Sequence, residues 1–342
     1  MSAGPTVACL GAGYFSQFHY DAWSRMPGVE VVASCDRQIE RAQATGLAAY
    51  AELGEMLERE RPDLLDIIVP PPAHAESIRE AARFGVRAVI CQKPFCTSLA
   101  EAREMADLAD VAGMTLVVHE NFRFQPWYRA IRAAIDGGKI GAVLQVTFRL
   151  RPGDGQGPRA YLDRQPYFQT MPRFLVHETA VHWIDTFRYL LGPPTEVYAD
   201  LRKLNPAILG EDAGYIVFGF EGGVRALFDG NRLLDHAAGN PRRTMGEALV
   251  EGMAGTMMLD GEGVVRLRRF GAVEDDCLFT NAPDRGFGGD CVFALQQHVV
   301  QGLAGQCSIE NTARDYLAVK IIEEAVYDSA RTGRLVSLAG SP

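Results

Sequence analysis

The sequence predicts an α/β protein in which an N-terminal, doubly wound parallel sheet is followed by an α+β domain with a large, mainly antiparallel open sheet. Three observations predict it. Between residues 6 and 119, near-continuous apolar runs alternate with helix-forming segments, the pattern of strands buried on both faces and joined by right-handed crossovers. A glycine pair follows the first run and an aspartate closes the second. Past residue 122 the alternation stops, and period-two strands separated by glycine-rich turns take over. The predicted division is 1–121 and 122–342, with the closing helix a candidate to pack back on the first domain.

Thr6 to Leu10 reads as a strand, Gly11-Ala12-Gly13-Tyr14-Phe15-Ser16 as a turn, and Gln17 to Met26 as a helix. In a Rossmann turn of this kind Gly11 permits the tight bend and Gly13 lets the backbone approach a pyrophosphate at the helix N-terminus, with Tyr14 and Phe15 in the same turn. Ser16 stands at the third glycine position, where a small side chain still allows close packing of helix on strand. Val29 to Ser34 is the second strand, and Asp36 follows it at the place where a carboxylate accepts hydrogen bonds from ribose hydroxyls. A carboxylate there repels a 2'-phosphate, so NAD is favoured over NADP, with Arg37 next door a partial compensation.

Glu40 to Glu60 reads as helix broken at Gly46, and Leu64 to Val69 as a buried strand. Pro70-Pro71-Pro72 then forms a stiff loop at the carboxyl end of that strand, the edge where such sheets bind ligands. Helix Ala73 to Gly85, opened by His74, leads to strand Val86 to Cys91 and directly to Gln92-Lys93-Pro94. Lys93, at a strand's carboxyl end and locked by a proline, is placed to meet a substrate oxygen; a plain surface lysine is the alternative. Ser98 and Glu101 form a capping box for a helix ending near Gly113, and Thr115 to His119 is one more strand.

In the second half, Trp127 to Asp136 reads as helix, and Val143 to Leu150, Tyr215 to Phe220, Val224 to Phe228 and Thr256 to Leu259 as alternating strands. One sheet face is expected to cover helices and the other to pair with a second subunit. Asp154 to Pro172, with Tyr161, Tyr167 and Phe168, suits a substrate-covering loop or a surface excursion. His177 to Gly192 reads as one helix, on which Glu178, His182 and Asp185 fall within roughly 60° of each other at 3.6 residues per turn. A histidine beside carboxylates can exchange protons near neutral pH, although such a pair on an amphipathic helix is more often structural. Asn311 to Thr332 closes the chain with a helix.

A formal charge of -9, without a basic stripe, argues against nucleic acid and anionic membrane surfaces. Seven scattered cysteines follow the reduced, cytoplasmic pattern, no apolar run reaches 18 residues, and a cytoplasmic protein without a secretory segment is expected. No metal is expected: His177, Glu178 and His182 echo HExxH, but the histidines are five apart and diverge by about 140° on an α-helix.

Taken together, GAGYFSQFH at 11–19, Asp36, PPPAH at 70–74, QKP at 92–94, NFRF at 121–124, HETAVHWID at 177–185 and YDSARTGRLVSL at 327–338 resemble the glucose-fructose oxidoreductase and inositol dehydrogenase family, Gfo/Idh/MocA. The resemblance covers nearly the whole chain. It implies that Lys93 and His182 flank the nicotinamide, that the peptide before Pro94 is cis, and that Pro71, His74 and Gln92 belong with Lys93 at the NAD site. It also implies a homodimer or homotetramer built through the open sheets. Two departures stand out: Gln92 replaces the glutamate of the family's Glu-Lys-Pro, and Glu178 stands where an aspartate is frequent. The GAGYFSQFHYDAW, ICQKPF and PRFLVHET segments look most like sugar dehydrogenases of the D-apiose type.

The resulting expectation is an NAD-dependent dehydrogenase acting on a hydroxyl-bearing carbon of a sugar or polyol. His182 is the expected base, Lys93 the group polarising the oxygen, and Glu178 the residue orienting His182 or holding a neighbouring hydroxyl, with Asn121 and Arg123 as further pocket residues. The rivals are an NAD-retaining, redox-neutral lyase or glycosidase, a non-catalytic NAD sensor, and a metal hydrolase.

Overall fold

In a computed structural model, which describes residues 4–280 and 285–338, the chain separates into two compact units. The first comprises residues up to Asn121 together with Val292–Lys320, and the second Phe122–Cys291 with the chain from Ile321 onward. Residues 292–320, assigned by sequence to the second domain, thus pack with the first.

The first unit is built on six parallel strands: β1 (Thr6–Leu10), β2 (Glu30–Cys35), β3 (Ala48–Tyr50), β4 (Leu64–Ile67), β5 (Ala88–Gln92) and β6 (Thr115–His119). Their spatial order is β3-β2-β1-β4-β5-β6, the Rossmann order, which reverses direction between β1 and β4 and opens a ligand crevice at the carboxyl ends there. Helices α1 (Ser16–Ser24), α2 (Ile39–Gln43), α3 (Leu53–Glu60), α4 (His74–Arg83) and α5 (Leu99–Ala112) supply the crossovers. The predicted helix over 40–60 is corrected: β3 interrupts it. Gly46, at φ +77°, turns the chain, and Ala48, Ala49 and Tyr50 pair with the edge of β2, so sheet pairing outweighs alanine's helix preference. The capping box closes one residue early, because Ser98 accepts from the Glu101 N–H while Glu101 accepts from Thr97. Helix Cys291–Leu303 and the first turns of Ala313–Thr332 join this unit through Gln296, which reaches Asp66, and Thr312, which bridges to Val117.

The second unit carries a nine-stranded sheet with helices α6 (Pro126–Asp136) and α7 (Val181–Leu191). Its strands are β7 (Val143–Leu150), β8 (Pro194–Arg202), β9 (Ala213–Phe220), β10 (Arg225–Asn231), β11 (Gly246–Gly252), β12 (Gly255–Leu259), β13 (Val265–Arg269), β14 (Asp276–Phe279) and β15 (Val336–Ser337). They lie in the order β14-β13-β12-β11-β7-β10-β9-β8-β15, antiparallel except where β10 runs parallel to β7. Alternation sorts the faces. Val146, Phe148, Ile216, Phe218, Ala226 and Phe228 point inward, where Trp183 of α7 stacks on Phe148 and Phe187 meets Phe218 edge to face. The opposite face exposes Tyr198, Tyr215 and Met258. Asp154 to Pro172 is pinned over its own small core of Ala160, Tyr161, Phe168, Phe174 and Ile208. Buried Arg232 holds it by pairing with Asp154 and donating to Thr179.

Candidate functional site

The glycine turn after β1 meets its constraints residue by residue. Gly11 sits at φ +106°, and a Cβ there would lie 2.6 Å from the Ile68 carbonyl oxygen, so only glycine fits. A Cβ on Gly13 would meet nothing within 4 Å, which leaves open space before α1. That helix has no side-chain cap hydrogen bond and no acid in its first turn, which suits the approach of an anion to its N-terminus. Tyr14 is exposed, while Phe15 packs on Phe18 and His19. Asp36 accepts from the Ala12 and Gln38 N–H groups, each at 2.9 Å, and so ties the turn to the end of β2; Arg37 beside it is exposed. Turn, helix end and carboxylate together fit a dinucleotide.

Pro71 opens a short 3-10 turn and is half-buried. His74, the other residue of this loop expected at the cofactor, is wholly buried. Its Nε2–H donates to the Val69 carbonyl at 2.7 Å and its Nδ1 accepts from the Cys96 N–H, which clamps the proline loop to the segment after Pro94. Burial pushes its pKa down from 6.5 to about 4. Because the folded value lies below the unfolded one, the unfolded chain takes up a proton that the fold refuses as pH falls from 6.5 towards 4. The fold should lose about 3 kcal/mol across that window, at 1.36 kcal/mol per pKa unit. Denaturant midpoints of His74→Gln should fall less steeply over the same pH range than those of the parent; equal slopes would assign the loss elsewhere.

Lys93 is half-buried at the carboxyl end of β5, and its bond to Pro94 is cis. Gln92, also expected at the cofactor, turns its amide inward: Oε1 accepts the Lys93 N–H at 3.0 Å, and Nε2 lies 2.8 Å from His19 Nε2. His19 in turn lies 2.8 Å from Asp66, which also accepts from Trp23 Nε1. Sequence reasoning missed this buried cluster, yet one signal was present: Asp66 interrupts an apolar run read as buried on both faces, where a carboxylate requires partners. Asn121, the last residue of this stretch, is buried with its Nδ2 lacking a hydrogen-bond partner.

In the second unit, Arg123 sits in the short turn Phe122–Phe124 and grips Asp185 of α7, with Nε on Oδ2 at 2.7 Å and a second bond to Oδ1. Both are buried. The arginine expected to line a pocket and the acid expected on the His182 face of the helix are thus held by each other.

The predicted helix over 177–192 is also corrected. Leu175–Ala180 forms a π turn and the α-helix starts at Val181. Glu211 accounts for the irregular start, because its Oε1 accepts from the N–H groups of both Phe174 and Val176 while its main-chain oxygen accepts from Leu175. A π turn adds about one residue per turn, and such turns recur at functional sites. His182 lies in the first turn of α7, almost fully buried and stacked on Phe122 with ring centroids 3.8 Å apart. Glu178 is half-buried in the π turn, and after partial burial its charge is the next cause raising the Tyr167 hydroxyl pKa. His177 is taken by Glu323, and its N–H donates to Tyr327, which donates to Glu211. Among the described residues no three His, Cys, Asp or Glu side chains are grouped to hold a metal ion. The partners Glu211, Glu323 and Tyr327 were not legible as such in the sequence, being 35 to 150 residues from what they hold.

Two family models match the chain: the oxidoreductase family, NAD-binding Rossmann fold, over residues 6–120, and the GFO/IDH/MocA C-terminal domain over 128–256. A D-apiose dehydrogenase of Paraburkholderia graminis is 34% identical, covering 97% of this chain and 89% of that protein. A second, from Rhizobium rhizogenes, is 28% identical over 97% and 96%. The structure of an oxidoreductase from Agrobacterium radiobacter, solved with NAD+, L-tartaric acid and magnesium, superposes with a TM-score of 0.87 at 26% identity, covering 97% of this chain and 98% of that one. The glycine turn with its aspartate, the Lys93–Pro94 junction and this full-length likeness agree, and the chain belongs to the Gfo/Idh/MocA family of NAD-binding oxidoreductases.

Proposed function

We propose that the protein is an NAD-dependent dehydrogenase that oxidises a hydroxyl-bearing carbon of a sugar or polyol, with D-apiose the first candidate. The observation that carries this reading is the presence of both proton-handling groups, Lys93 at the end of β5 and His182 at the start of α7, in a chain one-third identical to a D-apiose dehydrogenase over its length. NAD, when bound, accepts the hydride from the carbon. The chain's own residues handle the proton. His182 Nδ1 or Nε2 takes it from the hydroxyl as the carbonyl forms, Lys93 stabilises the charge growing on that oxygen, and Glu178 holds a neighbouring hydroxyl. Tyr167, half-exposed and electrostatically coupled to Glu178, joins the same polar group as a ring on which a sugar face can rest.

The Asp36 carboxylate supports NAD over NADP, although Arg37 beside it tempers that preference. Seven cysteines without a disulfide support a reducing, cytoplasmic setting. The described helices include none long and apolar enough to cross a membrane. The tyrosines and Met258 on the open sheet face support assembly with a second copy, as a dimer or tetramer.

The test is NADH formation by purified protein with NAD and a panel of aldoses, branched pentoses and inositols, repeated with NADP. A rate with one sugar and NAD at least about tenfold above that with NADP is expected. Tight NAD binding with no net NADH across the panel would replace this reading with a redox-neutral enzyme or a sensor.

A further inference from the structure

A line of fully buried polar side chains runs beneath Lys93, and the proposed reaction makes no use of it. Gln92 ends β5 and stands opposite His119 on β6; His19 comes from α1, Asp66 from β4 and Gln296 from helix Cys291–Leu303. All five are buried.

Donor and acceptor roles in this line follow from one unambiguous group. The Lys93 N–H can only donate, and the atom 3.0 Å away must therefore be the oxygen of the Gln92 amide. The amide nitrogen is then the branch that faces His19 Nε2 at 2.8 Å and His119 Nδ1 at 3.5 Å. An NH2 group donates and cannot accept, so His19 Nε2 carries a lone pair. The single ring proton of His19 sits on Nδ1, where Asp66 Oδ2 lies at 2.8 Å; Gln296 Nε2, 3.4 Å from the same nitrogen, donates to that carboxylate oxygen at 3.3 Å rather than to the ring. Three hydrogen bonds thus point one way, from the Lys93 amide through Gln92 and His19 to a carboxylate that Trp23 and Gln296 also support. Bonds aligned in this sense polarise and strengthen one another in a dry interior.

We propose that Gln92 is a positioning residue for Lys93: its carbonyl anchors the Lys93 main chain, and its amide group holds His19 as the neutral, Nδ1-protonated tautomer against Asp66. The catalytic consequence rests on the role given to Lys93 above; the anchoring and the tautomer do not. The residue type at 92 sets the proton count of the line. A glutamate still accepts the Lys93 N–H but cannot donate to His19, so Gln92→Glu draws a second proton onto the ring, which then lies between two carboxylates. The net charge of the line stays the same, one negative in either case, because the added carboxylate is matched by the added proton. Gln92→Leu removes both the anchor and the donor.

The test needs no knowledge of the substrate. The chain has four lysines and seven histidines, so 15N-lysine and 15N-histidine labelling yields few signals, assigned with Lys93→Arg and His19→Gln. In the parent protein the Lys93 amide should exchange slowly with solvent, and His19 should show one protonated nitrogen, Nδ1, at neutral pH. Gln92→Glu should keep the slow exchange and show His19 protonated on both nitrogens. Gln92→Leu should speed Lys93 exchange at least about tenfold. A parent His19 protonated on Nε2, or equal Lys93 exchange in the parent and Gln92→Leu, would overturn the proposal. With D-apiose as probe, kcat of Gln92→Leu should fall at least about tenfold with NAD affinity within about threefold, and Gln92→Glu should recover most of it. If Lys93→Ala itself turns over D-apiose at the parent rate, the reading of Lys93 fails while the tautomer and exchange results stand.

Discussion

His182→Ala is expected to lower kcat by about 10²–10⁴-fold, the contribution of a positioned general base, with NAD affinity changed by less than about threefold. The expectation follows from where the ring is held. A histidine that served only to fill space at the head of α7 would need its stack on Phe122 and nothing more, and His182→Phe would then preserve function. As a base it needs a nitrogen that can accept a proton, and His182→Phe should be as inactive as His182→Ala while folding as well as the parent. Steady-state kinetics with the sugar identified from the panel, together with thermal denaturation of both variants, separates the two roles. A rate within tenfold of the parent in either variant would remove His182 from the chemistry.

Asp185→Ala should lower stability by about 3–5 kcal/mol, because it strands the Arg123 guanidinium in a buried position. Arg188, 3.7 Å from the same carboxylate, would lose a partner too. The value of the pair itself is a separate matter: replacing both partners by leucine exchanges a desolvated ion pair for apolar packing and should recover much of the loss. Urea denaturation of Asp185→Ala, Arg123→Leu and the double leucine variant measures this directly. A loss below about 1 kcal/mol in Asp185→Ala would mean that water reaches Arg123. Because the turn at Phe122–Phe124 also supplies the ring that stacks on His182, the same variant should be catalytically impaired beyond its loss of stability.

What could be read from the sequence was whatever the main chain imposes locally. Gly11 is glycine because a carbonyl lies against it and φ is positive, Asp36 closes a strand that feeds the same turn, and the proline after Lys93 restricts its neighbour; each constraint acts over a few residues and leaves a residue-type signature. The alternation of strands and helices was legible for the same reason. What escaped was set from far away. Ala48 to Tyr50 became a strand because an unpaired edge of β2 was available, against alanine's local preference. The π turn at Leu175–Ala180 exists because Glu211, 35 to 37 residues further along the chain, captures two N–H groups, and nothing in HETAVHWID announces it. The partners of His74 and Gln92, a carbonyl and an imidazole, were likewise not legible, because a motif gives the location of a residue and not the direction of its side chain.

The place of β7 in its sheet bears on how the protein is made. This strand is flanked by β10, whose first residue is Arg225, and by β11, whose first residue is Gly246, so neither neighbour exists when β7 leaves the ribosome. At ~5–20 residues per second, the roughly 80 further residues that complete β10, the earlier of the two neighbours, take about 4–16 s. For that interval Val146, Phe148 and Leu150, a β-branched and aromatic run with bare N–H and C=O groups on both sides, has no native partner. The nascent chain therefore presents a chaperone with a waiting sheet centre, and synonymous codon changes that slow translation between residues 150 and 246 should lower soluble yield without altering the finished enzyme.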